Sequence, residues 1–293
     1  MKGKVLIVGA GGQLGQELQL SAPPGVDCVA VTRAQLDIGD AAAVSALIGK
    51  EKPHLVINAA AYTAVDKAES EPEAATRVNA VGPENLARAC RDSGARLVHV
   101  STDFVFDGHA SSPYRADSPT SPLSEYGRGK LQGELAVQQL LPDALIIRTG
   151  WVYSRFGGNF VKTMLRLMAE REELSVVVDQ VGTPTWANGL ARAIWAAAGL
   201  SGLNGIYHWS DAGVCSWYDF AVAISEEASA LGLLARAAKV LPIPGSSYPT
   251  PAVRPEFSVL DKASSWQDFQ LEGVHWRAQL RLMLQDLKDH DYE

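Results

Sequence analysis

The segment Lys4-Val5-Leu6-Ile7-Val8-Gly9-Ala10-Gly11-Gly12-Gln13-Leu14-Gly15 constrains the fold of this 293-residue chain more than any other. An unbroken apolar run ended by glycines suits a strand covered on both faces of a sheet. A helix then opens at Gln13-Leu14-Gly15-Gln16-Glu17-Leu18. Gly9, Gly12 and Gly15 follow G-x-x-G-x-x-G spacing. The first glycine permits a tight turn, the second lets backbone approach a pyrophosphate, and the third allows close helix–strand packing. The free N–H groups of such a helix start favour anions. The segment therefore predicts a dinucleotide-binding strand–turn–helix.

The rest of the first half keeps that rhythm. Val26 to Val31, His54 to Asn58, Arg96 to Ser101 and Leu145 to Arg148 read as further strands. Ala41 to Gly49 reads as a helix, with Asp37 and Asp40 as candidate caps, and Pro72 to Cys90 as a long helical stretch interrupted near Gly82-Pro83. This order predicts an α/β fold: a Rossmann-type, doubly wound parallel sheet over residues 1–150. Past Arg148, turn-rich segments separate helical patterns at Phe160–Glu170, Asn188–Ala198, Trp217–Leu231 and His275–Leu287. Residues 151–293 are expected to form mainly a smaller α/β substrate lobe, interleaved with late Rossmann elements.

Composition excludes several classes. A net charge of −7 lacks the basic footprint of a nucleic-acid binder. Cys28, Cys90 and Cys215 are scattered, without C-x-x-C, which argues against a disulfide framework or a zinc knuckle. His54, His99, His208 and His275 show no metal-ligand spacing. No signal peptide or membrane-spanning run is evident, so a reducing cytoplasm is the expected compartment.

Chemistry concentrates around Ser124-Glu125-Tyr126-Gly127-Arg128-Gly129-Lys130. Positions four apart share one helix face, so Lys130 can lie close to Tyr126. A nearby ammonium lowers a phenol's pKa and makes proton exchange near neutrality easier. Thr102, at a strand end in Ser101-Thr102-Asp103, supplies a hydroxyl for the reacting oxygen. Asp103 reads either as an acceptor for a substrate hydroxyl or as a turn residue. Trp151 reads either as a pocket wall or as core. The small residues of Asn58-Ala59-Ala60-Ala61-Tyr62-Thr63 let backbone approach a flat ligand, while Asp66, Lys67 and Glu69 read as a helix start with a charged face. The second strand ends in Thr32-Arg33 rather than an acid. An arginine there accommodates the 2′-phosphate of NADP, so NADPH is the expected cofactor, with NADH possible.

These residues, in this order, resemble the extended short-chain dehydrogenase/reductases, and more narrowly the dTDP-4-dehydrorhamnose reductase family. The resemblance rests on Ala59 to Glu69, Ser101 to Gly108, Tyr126 to Lys130, Arg148 to Tyr153, Gly158 to Val161, Gly182 to Thr185, Tyr248 to Pro255 and Ser258 to Asp261. It implies reduction of the 4-keto group of a dTDP-bound deoxysugar, with Thr102, Tyr126 and Lys130 as the catalytic triad. Gly12-Gln13-Leu14, Asp37-Ile38 and Ala61-Tyr62-Thr63 match the family's cofactor contacts. Thr102, Asp103 and Trp151 match its sugar contacts, and Arg254 is the candidate diphosphate contact because a guanidinium binds phosphate bidentately. A homodimer is possible. Phe104, Gly129 and Asn188 depart from the residues usual in the family. Some members hold magnesium at a dimer interface; Glu17 is a candidate ligand here, but no complete set accompanies it. The rival readings are an epimerase or dehydratase of the same fold, or a non-catalytic regulatory subunit like that of methionine adenosyltransferase. Phe104 after Asp103 breaks the dehydratase's acid pair, and the intact Thr102/Tyr126/Lys130 set argues against lost activity.

Overall fold

The computed structural model describes residues 3–291. The first half runs β1 (Lys4–Val8), α1 (Gln13–Leu20), β2 (Asp27–Val31), α2 (Ala41–Glu51), β3 (Leu55–Asn58), α3 (Val65–Ala68) and α4 (Pro72–Thr76). A π-helical turn, Arg77–Val81, leads into α5 (Gly82–Ser93), β4 (Arg96–Thr102), α6 (Glu125–Leu140) and β5 (Leu145–Thr149). Then follow β6 (Val152–Tyr153), α7 (Phe160–Glu170), β7 (Glu173–Val177), β8 (Val181–Gly182), β9 (Thr185–Trp186) and α8 (Ala187–Gly199). The chain closes through β10 (Gly205–His208), β11 (Cys215–Ser216), α9 (Trp217–Ala230), β12 (Lys239–Ile243), α10 (Ala263–Asp268) and α11 (Trp276–Asp291).

Six strands form one parallel sheet in the order β10-β5-β4-β3-β1-β2. This is the Rossmann-type α/β fold, and chain progression reverses at the β1/β3 junction, where such sheets bind ligands. The pleat explains the apolar runs. Val5 and Ile7 face one core with α1 and α8, whereas Leu6 and Val8 face the other with α2 and α5. Register then aligns the carboxyl ends: Val8 pairs with both Val31 and Asn58, Asn58 with His99, and Thr102 with Thr149. The loops after all five strands consequently share one edge.

β10 escaped the sequence reading, because four residues are too short to carry a periodic signal. It returns to the main sheet beside β5, and α8 packs its Leu190, Ile194 and Ala198 against the sheet. The remaining C-terminal elements enclose a separate core. There Val161, Leu165 and Met168 of α7 meet Phe220 and Ile224 of α9 and Leu280, Met283 and Leu287 of α11. Asp40, rather than Asp37, caps α2, accepting the N–H groups of Ala42 and Ala43.

α6 is anchored by a buried ion pair. Arg148 of β5 donates from Nε and Nη2 to the Glu134 carboxylate at 3.0 and 2.7 Å, reaches the Ala116 carbonyl at 3.2 Å, and lies over the Phe106 ring. Removing one partner strands the other charge in the interior. Arg148→Met is therefore expected to cost about 3–5 kcal/mol in denaturant unfolding, and adding Glu134→Leu should recover most of that loss. Equal stability of the single and double variants would mean that the pair does not anchor the helix.

Candidate functional site

The cofactor cradle begins where β1 meets the glycine turn. Gly9 has φ +86°, and a Cβ there would sit 2.5 Å from the Ala60 nitrogen. At Gly15 a Cβ would sit 2.2 Å from the Gly9 oxygen, so α1 can approach the turn only without a side chain. Beside this turn lies a cavity of about 210 Å³. It brings together Gly9, Gly12, Arg33, Asp37, Ile38, Ala61 and Tyr62. Shape, glycine spacing and free helix N–H groups fit a bound dinucleotide. Leu14 is different: its side chain belongs to the core beneath α1. Gln13 accepts the Asn159 side-chain amide at 3.0 Å, and exposed Thr63 lies outside the cavity lining.

Two residues absent from the sequence-based site hold this cradle in shape. Asn79, buried in the π-helical turn, accepts the Tyr62 N–H at 2.8 Å and donates to the Tyr62 carbonyl at 3.0 Å. This reciprocal pair fixes the loop after β3. The interruption near Gly82-Pro83 was the available signal, since π turns often mark functional sites. Arg77 pairs with Asp37 at 2.7 Å. The Gly39 N–H, followed by Arg77, holds the Asp37 carboxyl below its ordinary range.

Thr102 ends β4, and Tyr126 is the second residue of α6. The Ser124 hydroxyl accepts the Gly127 N–H at the helix start, and the Glu69 carboxylate accepts the Glu125 N–H at 2.8 Å. Glu69, read from sequence as part of a charged face, thus fixes the start of α6. The Tyr126 ring meets the Phe104 ring edge-on at 5.5 Å, and its phenol faces Thr102.

Lys130 departs from its expected electrostatic role. Its buried ammonium donates to the Val100 carbonyl at 2.7 Å instead of polarising the phenol. Burial pushes Tyr126 up to about 12, with Asp103 adding to the rise, and pushes Lys130 down to about 8. The i,i+4 spacing put both groups on one helix face, but the lysine stem reaches past the phenol to the edge of β4. An ammonium has three donors, so two remain for a ligand.

Asp103 is buried and accepts the Thr102 hydroxyl at 3.1 Å. Burial raises its carboxyl to about 6. Half-buried Trp151 adopts φ +50° and stacks on Trp217 with centroids 3.4 Å apart. Arg254 is bonded bidentately to Asp66 at 2.9 and 2.8 Å. The face of its guanidinium expected to meet a diphosphate is therefore occupied, and Asp66 serves as a clasp as well as a helix start.

Glu17 is likewise engaged. Its buried carboxylate accepts the Ser154 hydroxyl at 2.7 Å and the Asn188 amide at 3.0 Å. Among the described residues, no three His, Cys, Asp or Glu side chains converge as a metal site. Nor is any described helix long and apolar enough to cross a membrane.

Comparison with known proteins agrees with this geometry. The family model described as RmlD substrate binding domain matches residues 3–289. A dTDP-4-dehydrorhamnose reductase from Streptomyces griseus is 46% identical, with 94% of this chain and 91% of that protein covered. One from Burkholderia thailandensis is 43% identical, covering 97% and 99%. The crystal structure of a dTDP-4-dehydrorhamnose reductase from Bacillus anthracis in complex with NADP superposes with a TM-score of 0.92 at 37% identity, covering 98% of this chain and 100% of that one. With that agreement over nearly its whole length, the chain belongs to the dTDP-4-dehydrorhamnose reductase family.

Proposed function

We propose that this protein reduces the 4-keto group of dTDP-4-dehydro-6-deoxy-L-mannose to the alcohol, using NADPH and yielding dTDP-L-rhamnose. The observation that carries the reading is Thr102 at the end of β4 facing Tyr126 in the first turn of α6, with Lys130 one helical turn on and the dinucleotide cradle alongside. NADPH, when bound, supplies the hydride to C4 of the sugar. As the carbonyl π electrons move onto oxygen, Tyr126 gives that oxygen its phenolic proton. A phenol titrating near 12 stays protonated at neutral pH, which suits an acid in the reductive direction. Thr102 holds the same oxygen, and its hydrogen bond strengthens as negative charge develops. The free donors of Lys130 anchor the nicotinamide ribose. Trp151 walls the sugar pocket. Arg254 contributes to diphosphate binding through whatever donor edge Asp66 leaves open, while Arg33 at the adenosine end receives the 2′-phosphate. A fall in NADPH absorbance that depends on the dTDP-keto sugar tests the whole reading; no fall would refute it.

Three further outcomes are expected. Tyr126→Phe removes only the donated proton and should lower kcat by about 10²–10⁴-fold with little change in NADPH affinity. A near-normal kcat would assign the proton to another group. Arg33→Asp should shift the NADPH/NADH ratio of kcat/KM toward NADH, because an acid repels the 2′-phosphate and accepts the ribose hydroxyl. An unmoved ratio would place Arg33 outside the adenosine pocket. Lys130, depressed to about 8, keeps its charge below that pH and loses it above. The KM for NADPH should therefore climb between pH 7 and pH 9. Lys130→Met should show a raised KM without that climb, and a wild-type KM that stayed level would sink the ribose-anchor role.

A further inference from the structure

Trp151 is held in a position that an indole does not take by itself. Its φ of +50° lies in the left-handed region, an outlier for so bulky a residue. Its ring lies flat on that of Trp217, with centroids 3.4 Å apart and planes 4° from parallel. Free aromatic rings prefer an offset or edge-on approach to such full overlap. Backbone and ring are therefore both constrained, and such constraint persists only where the surroundings over-determine it.

Two strands and the start of a helix supply the constraint. Thr185 of β9 donates its N–H to the Trp151 carbonyl at 3.1 Å and its hydroxyl to the Gly150 carbonyl at 2.7 Å. β8 runs along the indole edge: a Cβ at Gly182 would sit 2.7 Å from Trp151 Cε2 and 2.8 Å from Nε1. Gly182 pairs with Cys215, and Val181 with Ser216. The strand at the edge of the indole is thus paired to the strand that delivers Trp217 to its face. Trp217 is the first residue of α9, where Ser216 and Asp219 close a capping box. The Ser216 hydroxyl accepts the Asp219 N–H at 3.1 Å, and the Asp219 carboxylate accepts the Ser216 N–H at 2.9 Å. Phe160, the first residue of α7, sets a further ring against Trp217, with centroids 4.6 Å apart.

The stack adjoins the reacting groups. Trp151 lies two residues beyond Thr149, the register partner of Thr102. At the intervening Gly150 a Cβ would sit 2.5 Å from Asp103 Oδ2. We propose that Trp217 is a positioning residue for the sugar: it holds the Trp151 indole so that the opposite face forms a fixed apolar platform for the deoxysugar ring. A platform ordered in advance spares the complex the cost of ordering it on binding. The inference rests on the reading of Trp151 as the wall of the sugar pocket.

The test compares two replacements of Trp217. Leucine keeps apolar volume without a flat face, whereas phenylalanine keeps a flat face at smaller size. Trp217→Leu should raise the KM for the dTDP-keto sugar about three- to tenfold, the range one aromatic pair is worth. The KM for NADPH should stay within about twofold, with little change in kcat. Trp217→Phe should restore most of the sugar KM, whereas a residue that merely fills space would be replaced equally well by leucine. Trp217→Met serves in place of a leucine variant that does not fold. The stack also has a readout besides turnover. Two overlapped indoles give a circular-dichroism couplet, which should be present in the wild type and vanish in Trp217→Phe and Trp151→Phe alike. An unchanged sugar KM in Trp217→Leu, a parallel rise in both KM values, or a wild type without the couplet overturns the inference. Trp151→Ala separates the inference from the reading beneath it. A raised sugar KM there, beside an unchanged one in Trp217→Leu, keeps the wall and removes its positioning residue. An unchanged sugar KM in Trp151→Ala refutes the wall itself, and the inference with it.

Discussion

Tyr126, Lys130 and Glu134 occupy successive turns of one helix stripe, and the site depends on how close that stripe comes to the sheet. Glycine makes the approach possible. A Cβ at Gly127 would sit 2.3 Å from the Phe104 carbonyl, and one at Gly133 would sit 2.2 Å from the Asn79 carbonyl. The buried Arg148–Glu134 pair then holds the helix at that distance. Phenol, ammonium and carboxylate thus enter a desolvated layer together. Burial drives the phenol upward and the ammonium downward, while the Glu134 carboxylate pairs with the Arg148 guanidinium.

Burial reaches the reacting groups through the same contact. Asn79, pressed on by Gly133, is also the residue that pins the loop around Tyr62. Glu69, next to the short α3, secures the first N–H of α6. Helix α6 and the loop after β3 consequently share a support.

Much of this was legible in the chain. Continuous apolar runs and glycine spacing encode local backbone requirements, so β1, its turn and α1 could be read directly. Tyr126 and Lys130 could be paired because helical spacing is fixed. The rest depends on contacts between residues far apart in sequence, which periodicity does not record. Arg254 was read as a free guanidinium because Asp66 lies 188 residues away. Lys130 was assigned to the phenol because the Val100 carbonyl that captures its ammonium belongs to another element. β10 was missed because four residues acquire strand character only beside β5.

Asn188 gains its meaning from the same long-range logic. An aspartate at that position would place a second carboxylate against buried Glu17, and the pair would need a proton or a cation to coexist. The amide donates instead, and with Ser154 it ties α1 to the start of α8 and to the loop before α7. Gln13 and Asn159 add a second tie from the first turn of the same helix. The helix proposed to receive the pyrophosphate is therefore fastened to elements of the C-terminal half. On the proposed reading, these five side chains are the path by which occupancy of one half bears on the other, and such coupling is reciprocal. Whatever factor the cofactor adds to the grip on the sugar nucleotide, the sugar nucleotide must return to the grip on the cofactor.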